Sequence, residues 1–538
     1  MRNFIKKEIE KAVKKLFKKK RAFEVTSDTK FGDYSSNVAM VTGGNLRMNA
    51  ERIKTELAAS KNIPQIFSKT EITGPGFLNF YLSEKGLIEG LKCISDCPKQ
   101  GLGQKVQVEF ISANPTGELH IGHGRSAFYG DALANILEAA GYEVEREYLI
   151  NDSKESTQIK ELGKTVLGKG EFYLTDYLKR KIKDLRFKIQ DDGEVGYAIA
   201  REIQKDNEKF IKRIGIKIDK WFSEEKELRQ KTEFKKALEL LKNKKLIYEK
   251  DGAIWLKTSK YGDEEDRVIV RSTGEITYFL SDIAYHINKN KGGYKKIIDI
   301  WGADHQGHVK RMMAVKKMLG WKFDLDILIS QLVTLKEGEK RKKLSKRRGD
   351  IILLKDLIKE VGLDVCRWFY LEKSLSTHME FDMDLAKERS QKNPVYYVQY
   401  AGARMASILA KSQISNLKSQ KLERRKFDFA QVGLAMGSLT KKNNVESAEA
   451  KSKLSPIRNL IKKLIQFPEV VEDIAKDYQV QRLTKYAYEL ASEFSQFYRD
   501  VRVIGSKNEK ELLALVALTR KVLEDSLKLL GIKYLDKM

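Results

Sequence analysis

The chain has 538 residues, too many for one hydrophobic core and enough for roughly three to four domains. Its 102 lysines and arginines against 75 acidic residues give a formal net charge of +27, which fits a protein that grips phosphates, although basic faces that only maintain solubility give the same sum. Three cysteines, Cys93, Cys97 and Cys366, exclude both a disulfide framework and a four-thiolate zinc site.

Residues 1–20 place Phe4, Ile5, Ile9, Val13, Leu16 and Phe17 at helical spacing with lysines opposite, which predicts an amphipathic opening helix. Its apolar run is too broken for a secretory signal, and Glu8 and Glu10 do not suit a mitochondrial presequence. No stretch is long and apolar enough to span a bilayer, so a cytosolic protein is expected. Gly74-Pro75-Gly76 turns into a strand at Phe77, Leu78, Phe80 and Leu82, closing a small α/β unit near Cys97. Val106, Val108 and Phe110 then alternate as a strand. A loop follows, residues 122–140 read as a helix ended by Gly141, and residues 142–150 as the next strand. Strand, loop, helix and strand in that order open a parallel nucleotide-binding sheet.

Residues 153–265 are charged, mostly helical in pattern, and read as an insertion into that sheet domain. Strand patterns resume at 268–270, 297–301 and 325–329. Beyond about 385 the pattern is helical: Ala487, Leu490, Ala491, Phe494, Phe497 and Tyr498 recur at three and four, and 512–530 closes before Gly531, which predicts a bundle. Residues 411–451 are polar and low in aromatics, as a connection would be.

Between the first sheet strand and its helix lies His120-Ile121-Gly122-His123. Two imidazoles at a helix N-terminus add donors where the helix dipole already favours a phosphate, and Gly122 and Gly124 allow a close backbone approach. The same residues suit a His-x-x-His metal site or a dinucleotide loop. Residues 341–349 carry six cations in nine positions, among them Lys343, Ser345 and Lys346. Such a loop can close on a triphosphate, or serve as a solvated basic face.

Together the two segments resemble the HIGH and KMSKS signatures of class I aminoacyl-tRNA synthetases, here His120-Ile121-Gly122-His123 and Lys343-Leu344-Ser345-Lys346, with Leu344 where methionine is usual. Residues 301–308, Trp-Gly-Ala-Asp-His-Gln-Gly-His, resemble that class's ribose- and adenine-contacting loop. The resemblance assigns catalysis to His120, His123, Lys343 and Lys346. It assigns ATP binding to the same four with Gly122, Gly302, Asp304, His308 and Ser345, with Mg²⁺ carried by the ATP and no metal held by the protein.

Residues 109–117, Glu-Phe-Ile-Ser-Ala-Asn-Pro-Thr-Gly, resemble the arginyl-tRNA synthetases of bacterial type within that class. This implies L-arginine as substrate, with Glu109 at its α-amino group, Asn114 at the substrate, and Tyr278 with Asp282 at the guanidinium. A planar cation with five donors calls for carboxylates in fixed geometry. Residues 31–37 and 74–80 are similar to the N-terminal domain of these enzymes, which grips the outer corner of the tRNA and brings in Asn79. Residues 393–404 resemble the entry to the anticodon-reading bundle, which assigns tRNA binding to Tyr397, Tyr400 and Arg404, with Gly402 where a histidine is usual.

The resemblance thus implies an α/β protein in three parts: an N-terminal α+β domain over 1–97, a class I Rossmann-like parallel-sheet catalytic domain over 98–385, and a C-terminal all-α anticodon-binding bundle over 386–538. The expected enzyme is a cytoplasmic monomer that joins arginine to tRNA-Arg with ATP and needs bound tRNA for activation. A class I synthetase for another amino acid and a catalytically silent tRNA-binding paralogue are the alternatives.

Overall fold

The computed structural model describes residues 1–18, 21–27, 31–94, 100–183, 190–338, 340–342, 352–412 and 448–538, with side chains described except at 340–342 and 448–454. The polar segment 411–451 falls almost wholly outside these residues, as do Cys97 and the lysine loop from 343 onward.

The opening helix, Arg2–Phe17, buries Ile5, Ile9, Ala12 and Val13 on one face. It leads into an antiparallel sheet of β1 (Val25–Thr26), β2 (Tyr34–Ser36), β3 (Phe67–Thr73) and β4 (Phe77–Leu82) in the order β1-β2-β4-β3. Leu78, Phe80 and Leu82 fill the core of this unit.

The parallel sheet contains β5 (Lys105–Glu109), β6 (Glu143–Ile150) and β7 (Lys220–Ser223). A satellite antiparallel sheet follows, built from β8 (Ile247–Lys250), β9 (Ala253–Leu256) and β10 (Arg267–Val270), before β11 (Lys296–Gly302) and β12 (Asp324–Ser330) return to the parallel sheet. The parallel order is β12-β11-β5-β6-β7, so the chain builds outward in one direction from β5 and in the other from β11. In an open α/β sheet the crevice at such a reversal, beyond the carboxyl ends of the strands, is where ligands bind. Here Glu109 at the end of β5 pairs in register with Asp299 of β11.

One expectation needs correcting. Residues 153–265 are not a simple helical insertion, because β7 within them forms the edge of the parallel sheet by pairing with β6. Only four residues long, with a single strongly apolar pair at Trp221 and Phe222, β7 carries too little periodicity to stand out from its charged flanks. The helices Thr157–Val166, Asp176–Lys183 and Asp192–Arg213 do form a separate packing unit around Ile159, Leu162, Ile199 and Ile203.

A three-stranded sheet of β13 (Val333–Glu337), β14 (Lys340–Lys342) and β15 (Met379–Asp382) precedes the helices Pro394–Lys411, Ala448–Asp477, Gln481–Asp500 and Glu509–Leu529. A single hydrophobic core runs through the N-terminal unit, the parallel sheet and these helices, so the three parts share one interior. Arg2 reaches Glu472 at 2.9 Å and Asp473 at 2.7 Å, and Lys462 reaches Asp33 at 2.6 Å, tying the first unit to the last. Among the described residues no helix is long and apolar enough to cross a membrane.

Candidate active site

The helix Ile121–Ala139 is capped by His120, whose Nδ1 accepts the Gly122 backbone N–H at 3.1 Å, while His123 Nδ1 accepts the His120 N–H at 3.2 Å. Each imidazole thereby satisfies an orphan donor of the first helical turn and, when neutral, carries its proton on Nε2. The two rings stack with centroids 3.7 Å apart. A neutral imidazole pair with Nε2–H donors, set on the positive end of a helix dipole, can donate to phosphate oxygens. Gly122 has room only for hydrogen, since a Cβ there would lie 2.9 Å from the His120 ring. Gly124 has another role than the expected one: it is buried, and a side chain would meet Leu354 at 2.9 Å and Tyr370 at 3.1 Å, so its smallness serves helix packing.

Lys343, Ser345 and Lys346 lie outside the described residues, but their flanks do not. Lys340–Lys342 pairs with β13, and the chain resumes at Ile352 against the histidine loop. There Ile121 N donates to Ile352 O at 3.1 Å and Leu354 N to Leu119 O at 2.9 Å.

Residues 110–120 connect the histidine pair to an acidic pocket at the strand ends. Glu109 is buried, accepting from Lys289 Nζ at 2.7 Å, Tyr285 OH at 3.2 Å and Ser112 Oγ at 2.8 Å. Burial pushes its pKa up, Lys289 opposes this, and Asp299 and Glu147 add to it. Asp282 stands one turn into the helix Tyr278–Asn290, partly accessible yet deep among its neighbours, and no hydrogen bond among the described residues reaches its carboxylate. Burial raises its pKa to about 7 against the pull of His286, with Glu224 and Glu109 pushing the same way as burial. Tyr278 opens that helix with its ring 57% exposed and its hydroxyl 3.5 Å from Ser156 Oγ. Asn114, on the connection from Glu109 to His120, is half-buried.

Sequence reasoning missed Glu224. It follows β7, accepts from Ser281, and has its pKa raised to about 7, chiefly by burial. Its backbone is fixed from β6: Asp152 accepts from Ser223 Oγ at 2.7 Å and from the Glu225 N–H at 3.0 Å. Arg229 draws the Glu224 pKa down and His286 that of Asp282, but burial outweighs both, so a positively charged ligand would relieve this pair of carboxyls. The available signal was an acidic pair directly after a short aromatic strand.

Gly302 ends β11, and Asp304 beside it is exposed. His308 opens the helix His308–Leu319 with its Nδ1 buried and without a partner among the described residues. Burial, then Arg311 and His305, lower its pKa, so it is neutral at pH 7.

Of the residues expected to meet tRNA, Asn79 is closed off from solvent: it lies on the face of β4 opposite Leu78 and Phe80, yet is fully buried there, close to Gly32 and donating to Thr73 Oγ1 at 2.8 Å. Tyr400 and Arg404 do form a surface. The Arg404 guanidinium sits 5.0 Å from the Tyr400 ring and 4.7 Å from that of Tyr498, and donates to Tyr400 OH at 2.7 Å. Tyr397 packs on Tyr488 at 5.0 Å. At Gly402 a Cβ would lie 2.9 Å from the Tyr534 ring, whose hydroxyl donates to Gly402 O at 2.6 Å. The C-terminal tail therefore occupies the space a histidine would need.

Three family models cover nearly the whole chain: the arginyl tRNA synthetase N terminal domain over 3–82, the class I (R) tRNA synthetase catalytic domain over 92–160 and 169–392, and the DALR anticodon binding domain over 398–538. An arginine–tRNA ligase of Carboxydothermus hydrogenoformans is 38% identical, covering 94% of this chain and 92% of its own. One from Bacillus subtilis is 35% identical, covering 100% of this chain and 99% of its own. The structure of the Thermus thermophilus arginyl-tRNA synthetase superposes with a TM-score of 0.76 at 21% identity over the full length of both chains, which shows the shared fold. With the same three domains in the same order and relatives matching end to end, the chain belongs to the arginyl-tRNA synthetase family.

Proposed function

We propose that the residues gathered at the strand switch point carry the family's reaction, the ATP-dependent joining of L-arginine to tRNA-Arg, in the following roles. Asp282 and Glu224 receive the guanidinium, Tyr278 flanks it, Glu109 takes the α-ammonium, and Asn114 orients the substrate. The arginine carboxylate attacks the α-phosphorus of ATP, which enters with Mg²⁺ on its phosphates, and the bond to the bridging oxygen breaks to release pyrophosphate and leave arginyl-adenylate. His120 and His123 donate to the charge that develops there, joined by Lys343 and Lys346. Gly122, Gly302, Asp304, His308 and Ser345 form the nucleotide's seat. A hydroxyl of the tRNA's terminal ribose then attacks the adenylate carbonyl and AMP leaves, so no protein nucleophile is needed. Tyr397, Tyr400 and Arg404 meet the anticodon arm, where stacking on rings and guanidinium suits unpaired bases. The N-terminal unit, 1–97, grips the tRNA elsewhere through residues other than the enclosed Asn79, the catalytic domain spans 98–385 and the bundle 386–538. The enzyme works as a monomer in the cytosol.

This pair of carboxyls carries the reading, because burial outweighs the pull of Arg229 on Glu224 and of His286 on Asp282, which favours a substrate that brings its own cation. Asp282→Asn should raise the KM for arginine at least about tenfold, the scale of one charge-assisted hydrogen bond, while the KM for ATP changes little. Steady-state charging with each substrate varied in turn gives both constants. An unchanged arginine KM would remove Asp282 from the site.

A further inference from the structure

Beneath the pocket lies a set of buried ionisable groups that this reaction does not use. The Lys289 ammonium is fully enclosed and lies 2.7 Å from Glu109 Oε2, 2.7 Å from Asp299 Oδ1 and 3.9 Å from Glu147 Oε1. Tyr285, one turn earlier on the same helix, shares its single hydroxyl proton between Glu147, the shorter contact, and Glu109 at 3.2 Å. Lys220 of β7 pairs with Glu147 at 2.6 Å. His286 faces Asp299 Oδ2 with Nε2 at 2.9 Å and the Asp282 carbonyl with Nδ1 at 2.8 Å.

Glu109, Glu147 and Asp299 thus converge on Lys289, with Lys220 reaching Glu147 from the sheet edge. Burial works against the Lys289 ammonium, but Asp299, Glu109 and Glu147 outweigh it and hold its pKa above the ordinary lysine value. For Glu109 burial pushes toward the protonated form, Asp299 on β11 and Glu147 on β6 push the same way, and Lys289 is the cation that resists them. Tyr285 and Ser112 complete its surroundings as donors.

We propose that Lys289 is a positioning residue for amino-acid recognition: by tying Glu109 to Asp299 across the switch point, it keeps the Glu109 carboxylate charged and aimed for the α-ammonium of the substrate. The proposal rests on the assignment of Glu109 to that ammonium. A neutral or turned Glu109 would still leave the guanidinium subsite of Asp282 and Glu224 in place, so loss of Lys289 falls on one end of the substrate only.

That asymmetry makes the proposal testable with 5-guanidinopentanoate, which has the guanidinium and carboxylate of arginine but no amino group. Its inhibition constant is compared with the arginine KM in tRNA charging. Glu109→Gln tests the underlying assignment: it should abolish the preference for arginine over the analogue, and an unchanged preference overturns that assignment and the proposal with it. Where Glu109→Gln behaves as expected, Lys289→Met should cut the preference about ten- to a hundredfold, the range for a charge-assisted contact, with the analogue's inhibition constant nearly unmoved. It should also move the acidic limb of kcat/KM for arginine to higher pH, since Glu109 then protonates more readily, and Lys289→Arg should return the limb toward its original position. Equal losses for arginine and analogue with an unmoved limb are what a merely structural lysine would give, and overturn the proposal. If Lys289→Met does not fold, Tyr285→Phe removes one donor from the same oxygen. A smaller shift of the limb in the same direction supports the proposal, and an unmoved limb with an unchanged preference overturns it.

Discussion

Asp282 and Glu224 hold pKa values near 7 in the folded chain, well above the roughly 4 expected of carboxyls in an unfolded one. A raised folded pKa means that the protonated form favours folding. That contribution is complete below the unfolded values and is lost as pH rises through about 7, so the ligand-free pocket works against the fold at neutral pH. A guanidinium between the two carboxyls reverses the balance and drives their protons off. Arginine binding at pH 7 should therefore release up to about one proton, and its affinity should weaken as pH falls below 7. Calorimetry in buffers of different ionisation enthalpy reads this directly, and a binding enthalpy independent of buffer would contradict it. At this scale the sequence was legible where chemistry is local. His120, Gly122 and His123 share one helical turn, and Tyr278 and Asp282 are four apart on one helix. Glu224, Lys289 and Asp299 were not legible, because what makes each functional is a partner on another strand or helix, and a lone Glu or Lys in a chain of 33% charged residues carries no mark of burial.

Elements with a full period were read from the sequence: the helix after the histidines, β6, β11, β12 and the last two helices fall close to their expected positions. The short strand β7 was not, since four residues hold no period and its role is set by β6 beside it. The segment 153–265 consequently splits into a helical unit, a sheet edge and a satellite sheet. Neighbours also decide the fate of Asn79, which motif resemblance placed at the RNA and which Gly32 and Thr73 close over on the outer face of β4. The bundle shows the same dependence on neighbours at Gly402, where Tyr534 fills the place of the usual side chain. Gly402→His should displace the tail and lower stability by about 1–3 kcal/mol, the cost of overpacking. Tyr534→Ala should recover part of that loss, giving a coupling energy of about 0.5–3 kcal/mol in a double-mutant cycle followed by thermal unfolding. Additive effects would contradict the contact.

Across the whole molecule the three parts are joined by polar contacts as well as a common core. Arg2 and Lys462 fasten the N-terminal unit to the helix Ala448–Asp477. At the end of that helix Tyr478 donates to Asp326 at 2.6 Å, accepts from Lys296 at 2.6 Å, and offers its carbonyl to Tyr129 on the helix that begins at the histidines. A frame so connected joins the helices that carry Tyr400 and Arg404 to the sheet beside Asp282 and Glu224. The net charge of +27 suits the polyanion that would span them. A pocket built for a guanidinium should pass arginine and no other amino acid to RNA. Charging of total tRNA by the purified protein with ATP and each of the twenty amino acids in turn should then give an ester with arginine alone, whereas an ester with a different amino acid, or with none, would overturn the assignment.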